Sequence, residues 1–275
     1  MSLIRSARTN DDLLLLNGRL LSFRLPGESQ MTSLLGKLKR GANYALKWTG
    51  HQIDFEGHFP SFGRLVGHLD RAGLTPKTVV DIGVASGTPW LYDAYPHAKY
   101  FLFDPTPQSM PHMQAIAQRL DAQVFNIALG DTEGSVRLKI RPHHSDSTIF
   151  EEVGQTDVVE EREVPVARFD KVMPAFQRPA FAKIDVQGAE IMVIKGMGDR
   201  LRGEIDCLLV ETSTIATIRG GPEFAELFSS MHEAGFVLFD VTGLLRRPLD
   251  NALAQMDVAF VPENSPVRSD HRWAS

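Results

Sequence analysis

The fold of this chain is decided by the stretch Thr78-Val-Val-Asp81-Ile-Gly83-Val-Ala-Ser-Gly87-Thr88-Pro89. Its first part is a short run rich in β-branched residues, which predicts a buried strand. The two glycines that follow allow the backbone to turn tightly. Thr88 and Pro89 supply the N-cap and first-turn proline of a helix. The stretch therefore predicts a strand, a glycine turn and a helix.

The same alternation continues along the chain. Runs that are apolar on both faces, such as Phe181-Ala-Lys-Ile184, are typical of parallel strands covered by helices. The pattern predicts an α/β fold with a doubly wound sheet. Two extra strand-like runs, at 135–140 and 162–167, flank the polar stretch 141–161 and predict a hairpin-like insertion or edge elements. Further strands are predicted near residues 100–103, 123–128, 180–185, 207–211, 236–239 and 258–261, and helices near 108–120, 189–195 and 223–234.

Three regions follow from the pattern. Residues 1–75 predict an irregular extension with helices near 31–39 and 62–72 and a loop-like stretch at 51–60, which we interpret as a lid or an acceptor-binding region. Residues 76–262 form the main domain, and residues 263–275 a polar tail. The basic cluster Lys37-Leu-Lys-Arg40 fits either a solvated helix face or a contact with an anion.

Composition excludes several classes of protein. The 275 residues have a net charge of −5, 43% hydrophobic and 23% charged residues, and one cysteine, which excludes collagen, low-complexity disorder and a disulfide scaffold. Cys207 lies in an apolar run and is expected to be a buried structural residue. The sequence shows no signal-peptide core and no apolar run of membrane-spanning length, so we expect a cytoplasmic protein without a membrane span. The mild acidity predicts no nucleic-acid partner, and the oligomeric state is not readable from the pattern.

Asp81 and two glycines mark the end of the first strand of the domain. In an open α/β sheet, ligands bind outside the carboxyl ends of the strands, where the strand order reverses. The stretch from Asp81 to Gly87 is not the dinucleotide fingerprint, which needs three glycines to seat a pyrophosphate. A carboxylate there would repel phosphates and suits a ligand that carries a positive charge, such as an ammonium group.

Asp104 follows the second strand and is placed to accept hydrogen bonds from a ribose, as the equivalent acid does in nucleotide-binding sheets. Together, Asp81 and Asp104 predict a nucleoside without phosphates that carries a positive charge. S-adenosylmethionine fits this description, because it joins an adenosine to a sulfonium and an amino-acid tail.

At this point the sequence resembles the FkbM-type S-adenosylmethionine-dependent methyltransferases. The similarity spans roughly residues 78–262, and the block from Lys183 to Glu190 is its most specific part. The turn from Gly83 to Trp90 departs from the usual small-polar version. The resemblance is carried by Val80-Asp-Ile-Gly83, Phe103-Asp-Pro105, Asn126-Ile-Ala-Leu-Gly-Asp131, Lys183-Ile-Asp-Val-Gln-Gly-Ala-Glu190, Lys195-Gly196, Leu209-Val-Glu211 and Gln255-Met-Asp-Val-Ala-Phe-Val261.

The resemblance implies a seven-stranded, mostly parallel Rossmann-like sheet whose last strand is antiparallel. It also implies transfer of a methyl group to a hydroxyl oxygen, often on a sugar, a glycan or a similar polyol. The implied cofactor site consists of Gly83 and Gly87 beside the methionine tail, Asp81 toward its ammonium directly or through water, Asp104 on the ribose, and Asn126 to Ala128 bordering the adenine.

Methyl transfer to a hydroxyl needs a group that takes the proton as the new bond forms. Asp185 ends the fourth strand and is the first candidate to hold or deprotonate the acceptor; its alternative role is to cap the next helix. His144, in the pair His143-His144, is the second candidate, and a surface histidine pair is the alternative. Glu190 fits a helix first turn, and Glu211 fits either acceptor binding or a structural role.

Two other functions stay open at this point. One keeps the cofactor but methylates nitrogen or a small non-sugar metabolite, since the strand ends describe only the donor. The other is a nucleoside-binding module of the same fold without activity. No cluster with metal-ligand spacing is found in the sequence, so we predict no metal.

Overall fold

The structure is a computed structural model that describes residues 4–5, 12–16, 19–23, 60–154 and 157–273. The chain divides into two compact units, Met1–Phe59 and Pro60–Ser275. The helix predicted near residues 31–39 and the loop-like stretch at 51–59 lie outside the described residues. The division at residues 75 and 262 stays a prediction.

The first unit contains a three-stranded antiparallel sheet of β1 (Ile4–Arg5), β2 (Asp12–Leu16) and β3 (Arg19–Phe23). These strands lie where the sequence predicts an irregular extension with helices, so that prediction is wrong for these residues. A signal was present, because Asn17-Gly18 separates the paired residues Leu16 and Arg19. Asn-Gly is a preferred sequence for two-residue hairpin loops.

The second unit alternates strands and helices. Its strands are β4 (Thr78–Ile82), β5 (Lys99–Phe103), β6 (Ala122–Phe125), β7 (Ala128–Leu129), β8 (Gly134–Ile140), β9 (Glu151–Glu152), β10 (Glu160–Ala167), β11 (Ala180–Ile184), β12 (Cys207–Ser213), β13 (Ile218–Arg219), β14 (Phe236–Arg246) and β15 (Leu253–Pro262). Its helices are α1 (Phe62–Arg71), α2 (Pro89–Ala94), α3 (Met110–Ala117), α4 (Phe169–Val172), α5 (Glu190–Met197), α6 (Asp199–Glu204) and α7 (Phe224–Glu233), with 3-10 turns at His144–Asp146 and Pro266–Arg268. In the part of the chain that is described, no helix has the length and apolar character to cross a membrane.

Seven strands form the main sheet, in the order β14-β15-β12-β11-β4-β5-β6. Neighbours from β12 to β6 are parallel, and β15 is antiparallel to both β12 and β14. This confirms the predicted doubly wound sheet with an antiparallel last strand. The order reverses between β4 and β11, so the carboxyl ends of these two strands mark the switch point at which such sheets bind ligands.

Helices cover both faces of the sheet. Along β4, Val79 and Val80 are both fully buried and pack into different apolar clusters. Val79 belongs to the cluster that includes Leu65 of α1 and Leu91 of α2, whereas Val80 belongs to the one that includes Val193 of α5. Apolar residues on both faces of a strand therefore reflect two helical layers, as the sequence predicted. Cys207 is buried and burial raises the pKa of its thiol, as expected for a structural residue.

A smaller sheet carries the polar insertion. β8 pairs antiparallel with β10, and β7 pairs parallel with β10. The hairpin-like insertion is therefore confirmed. The single strand predicted at residues 123–128 is instead split into β6 and β7, because the chain leaves the main sheet after Phe125 and joins the smaller one at Ala128.

Asp81 is a fully buried carboxylate in the middle of the sheet. It accepts a hydrogen bond from Tyr92 Oη at 2.6 Å, and its Oδ1 lies 3.6 Å from Lys183 Nζ. Burial raises the pKa of Asp81, and Lys183 and Tyr92 oppose part of that rise. These contacts join β4 to α2 and β11.

Glu190 holds the loop between β11 and α5. Its Oε1 accepts hydrogen bonds from the backbone N–H groups of Gly188 at 2.9 Å and Val186 at 3.3 Å. Burial raises the pKa of this carboxyl to about 7. The carboxyl therefore has a structural role, as its place in the first turn predicted.

The hydroxyls of Tyr92 and Tyr95 make a matched pair for measuring this network. Tyr92→Phe removes the hydroxyl that donates to buried Asp81 at 2.6 Å, so we expect the free energy of unfolding to fall by about 1.5–3 kcal/mol. The hydroxyl of Tyr95 is buried with no hydrogen-bond partner among the described residues, so Tyr95→Phe should leave stability unchanged or raise it. Urea unfolding of both variants is the measurement, and an equal loss in both would contradict the role of Tyr92.

The raised pKa of Glu190 predicts that stability depends on pH. Its pKa rises from 4.5 to about 7 in the folded state, so between these values the folded chain keeps a proton that the unfolded chain releases. The free energy of unfolding should therefore fall as the pH rises from about 4.5 to 7 and then level off. Glu190→Gln retains an oxygen for Gly188 and does not ionise, so the free energy of unfolding of this variant should fall less over the same pH range. The free energy of unfolding of this variant should still fall in part, because other carboxyls, Asp81 and Asp257 among them, also have raised pKa values.

The test is urea unfolding of the Glu190→Gln variant from pH 5 to pH 8. Glu263→Gln, at an exposed position, is the control and should retain the wild-type slope. A slope in Glu190→Gln equal to that of the wild type would contradict the assignment.

Candidate functional site

The turn after β4 forms the base of the site. Gly83 and Gly87 have φ values of +82° and +112°, and Ala85 between them has +48°. A Cβ at Gly83 would overlap the backbone carbonyl oxygen of Asp185. Glycine is therefore required there, because the turn after β4 and the end of β11 touch through their backbones.

Asp104 ties the end of β5 to this turn. Its Oδ2 accepts from Ala85 N at 2.8 Å, and its Oδ1 accepts from Thr106 N at 2.8 Å and from Thr106 Oγ1 at 2.6 Å. A carboxylate has about four acceptor sites, so the protein's own donors take three of them. The side chain is almost fully buried at the wall of the cavity described below.

Asn126 supports the same corner from the end of β6. Its Nδ2 donates to the backbone oxygens of Asp104 at 2.8 Å and Thr106 at 3.3 Å. This amide fixes the chain as it passes from β5 toward α3. Two residues further on, Ala128 begins β7 and contributes to the cavity wall.

Asp185 lies directly after β11, and each of its carboxylate oxygens has a partner. Lys183 Nζ lies 3.2 Å from Oδ2, and Gln187 Nε2 donates to Oδ1 at 2.9 Å. Burial lowers the pKa of Lys183, but Asp185 and Asp81 outweigh it and hold the pKa above its usual range. The cation at Lys183 therefore lies between the carboxyl groups of Asp81 and Asp185 and offsets part of their negative charge.

Glu211, in β12, joins this group through an amide. Gln187 Nε2 also donates to Glu211 Oε2 at 2.9 Å, and Gln255 Nε2 donates to the same oxygen at 3.4 Å. Burial and the neighbouring carboxylates Asp185 and Asp257 raise the pKa of Glu211 well above its usual range. Two acids and two amides therefore form one polar wall, made of Asp185, Gln187, Glu211 and Gln255.

These groups surround one cavity of about 890 Å³ at the carboxyl edge of the sheet. That volume falls within the usual range for small-molecule sites. One side of the cavity is formed by the turn after β4 and the residues after β5, and another by the polar wall. The remaining lining residues include Val136, Leu138, Ser145, Asp146, Ser147, Ile149, Val153, Thr217 and residues 245–249.

The predicted site residues divide into two groups. Gly83, Asp104, Ala128 and Asp185 line the cavity, whereas Asp81, Gly87 and Asn126 do not. Asp81 lies beneath the turn and Asn126 behind Asp104. The contacts predicted between these residues and a cofactor stay predictions.

The predicted second base, His144, lies in the 3-10 turn His144–Asp146. Ser145 and Asp146 of that turn line the cavity. The side chain of His144 lies outside the part of the chain that is described, so its role stays a prediction.

The alternative role of Asp185 as a helix cap was wrong. Helix α5 begins at Glu190, its N-cap residue is Ala189, and no side chain caps it. The loop N–H groups are instead bound by Glu190. The carboxylate of Asp185 therefore points to Lys183 and Gln187, at the cavity.

Lys183 and Gln187, the partners of the carboxylates, were not among the predicted site residues. Lys183 did carry a signal, because a charged residue within a strand that is buried on both faces must be paired. Gln187 carried none, since its bridge depends on a left-handed backbone conformation with φ of +52°. Among the described residues, no group of three or more histidine, cysteine, aspartate and glutamate side chains is arranged to hold a metal ion.

Comparison with solved structures finds methyltransferases at low identity. The methyltransferase FkbM from Methylobacillus flagellatus KT is 14% identical, with a TM-score of 0.41, and the match covers 66% of this chain but only 43% of that one. A 1,6-didemethyltoxoflavin-N1-methyltransferase from Burkholderia thailandensis is 12% identical, with a TM-score of 0.37 and 94% and 98% of the two chains covered. The magnesium protoporphyrin IX methyltransferase from Synechocystis PCC 6803 is 9% identical, with a TM-score of 0.42 and 87% and 86% covered. No curated protein sequence matches significantly.

The family follows from the sequence itself. The model of the methyltransferase FkbM domain matches residues 81–238, which is more than half of the chain. This match includes the turn after β4, Asp104 and the polar wall as far as Glu211. It confirms the resemblance and implies S-adenosylmethionine as the methyl donor. The chain belongs to the FkbM methyltransferase family.

Proposed function

We propose that this enzyme transfers a methyl group from S-adenosylmethionine to a hydroxyl of a sugar, a glycan or a similar polyol. The observation that carries the proposal is that one cavity joins the glycine turn and Asp104 to the polar wall of Asp185, Gln187, Glu211 and Gln255. Donor and acceptor must meet for direct transfer, and a continuous cavity allows it.

The donor half of the cavity suits a nucleoside without phosphates. Gly83 and Ala85 of the turn line the cavity, so a ligand can lie beside the turn, and Asp104 retains about one acceptor site for a ribose hydroxyl. We infer that Gly83 lies beside the methionine tail, Asp104 binds the ribose, and Ala128 borders the adenine.

The acceptor half suits a molecule with several hydroxyls. Each hydroxyl can both donate and accept a hydrogen bond, and the polar wall offers both kinds of group. The carboxylates of Asp185 and Glu211 accept, and Gln255 retains one N–H to donate, because only one of its two is bound to Glu211. Both N–H groups of Gln187 are bound to Asp185 and Glu211, so this side chain offers its amide oxygen. An apolar acceptor would leave the remaining acceptor sites of the two carboxylates without partners, at a cost in binding free energy.

When bound, S-adenosylmethionine supplies a methyl group on a positively charged sulfur, which keeps the electron pair of the broken S–C bond as the new O–C bond forms. Asp185 orients the acceptor hydroxyl and takes its proton, so that the products are a methyl ether, S-adenosylhomocysteine and a proton. Lys183 keeps Asp185 in place, and Gln187 holds its second oxygen. His144 is the second candidate for the proton acceptor.

Asp104 tests the donor half. Asp104→Ala should weaken binding of S-adenosylmethionine by roughly 1.5–3 kcal/mol, as expected for hydrogen bonds to a charged group. Calorimetry with the full chain measures this, and thermal unfolding checks that the variant is folded. Asp121→Ala, an exposed acid that pairs with Lys99, is the control and should bind like the wild type. No binding to the wild-type chain would contradict the donor site.

Asp185 tests the acceptor half. Asp185→Asn should lower turnover by ~100-fold or more, because an amide cannot take the hydroxyl proton, while affinity for S-adenosylmethionine changes little. The measurement is transfer of a labelled methyl group onto a panel of sugars and glycan fragments, with the His144→Ala variant in parallel. Unchanged turnover in Asp185→Asn would assign the base to another residue.

A further inference from the structure

The two strands at one edge of the main sheet, β14 and β15, are longer than the inner ones. β14 has 11 residues and β15 has 10, whereas β4, β5 and β11 have five each. The last residue of β12, Ser213, pairs with Gln255. Residues 246–254 therefore extend past the end of β12, at the carboxyl edge, and residues 245–249 line the cavity.

Hydrogen bonds give the tip of this hairpin a defined shape. Arg247 forms a two-pronged ion pair with Asp250, at 2.8 and 2.7 Å. The backbone N–H of Asn251 donates to Arg247 O, and that of Arg247 donates to Ala252 O, both at 3.0 Å. Leu249 lies between the paired residues Arg247 and Asp250 of this tip.

Three exposed apolar side chains line the mouth of the cavity. Leu249 is 82% exposed, Val153 58% and Leu245 57%; we call these three residues the apolar rim. Leu244, the neighbour of Leu245 in β14, is also 48% exposed but does not line the cavity, because adjacent residues of a strand face opposite sides. Apolar side chains grouped at the mouth of a polar site indicate a contact with a ligand.

We propose that the apolar rim binds an apolar substituent of the methyl acceptor, so that the acceptor is an amphiphile with a hydroxyl-bearing head and a hydrocarbon or aryl group. The inference rests on the proposed function for its polar half. The head would occupy the polar wall at Asp185, and the substituent would leave the cavity across Leu245 and Leu249. Burial of apolar surface on both partners would then add affinity that a free sugar lacks.

Charge favours a substituent of the ligand over a lipid bilayer as the occupant. Binding to an anionic membrane surface relies on clustered, free cationic side chains. At this tip, Asp250 neutralises Arg247 and Arg246 donates to the backbone oxygen of Asn251, so residues 245–251 present a single uncompensated cation rather than a cluster. The chain as a whole has a net charge of −5. The apolar rim and Asp185 also line the same cavity, so a single ligand can contact both.

The test uses calorimetry on the full chain saturated with S-adenosylhomocysteine. The probes are n-decyl β-D-maltoside, below its critical micelle concentration, phenyl β-D-glucoside, and maltose as the head without a substituent. We expect decyl maltoside to bind about tenfold or more tightly than maltose, and Leu245→Ser and Leu249→Ser each to lose about tenfold in that affinity. The matched control Leu244→Ser should bind like the wild type. A preference for the phenyl glycoside over the decyl one would assign the rim to aryl rather than alkyl groups.

Several results would overturn the proposal. These are no binding of either glycoside to the wild-type chain, equal affinity for maltose, or the same loss in Leu244→Ser as in the rim variants. Binding to phosphatidylcholine vesicles that the rim variants abolish, without glycoside binding, would replace it with a membrane contact. Failure of the proposed function gives a different result, namely no binding of S-adenosylhomocysteine, or intact glycoside binding with no methyl transfer to any hydroxyl.

Discussion

A buried lysine fixes the edge of the sheet on which the site is built. Lys183 is 8% exposed and lies between Asp81 and Asp185, with its Nζ 3.5 Å from the backbone oxygen of Gly83. Taking an ammonium group out of water costs several kcal/mol, which is offset only while its carboxylate partners stay in place. The pairing of Lys183 with Asp81 across β11 and β4 therefore also sets the distance between the glycine turn and Asp185.

Much of this edge is predictable because strand direction alone determines it. Parallel strands end at the same edge of a sheet, so an acid directly after a predicted strand is expected near the ligand. Asp104 and Asp185 follow β5 and β11, and both line the cavity. The alternation of strands and helices likewise predicted the doubly wound sheet, and the family resemblance added the antiparallel last strand.

What the sequence did not show depends on contacts between distant residues. Asp81 also lies near a strand end, yet its side chain lies among α2 and β11, where Tyr92 and Lys183 bind it. By their position in the sequence, Asp185 and Glu190 could each bind the N–H groups of the loop before α5. Only the three-dimensional structure shows that Glu190 binds them. β14 was predicted to end at residue 239, because a register shift between Leu238 and Asp240 interrupts the alternation on which strand prediction depends.

Turns after parallel strands form one side of the cavity, and antiparallel hairpins form the other. The half proposed to bind the donor is formed by turns at the carboxyl ends of parallel strands, where Gly83 touches Asp185 and Asp104 binds Ala85. A change in length there would break several contacts at once. The acceptor side is bounded by β8, β10 and the β14–β15 hairpin, which are antiparallel. An antiparallel hairpin can be lengthened at its tip without shifting the register of the strands behind it. The cavity mouth can therefore change its ligand while the donor half and Lys183 keep their geometry.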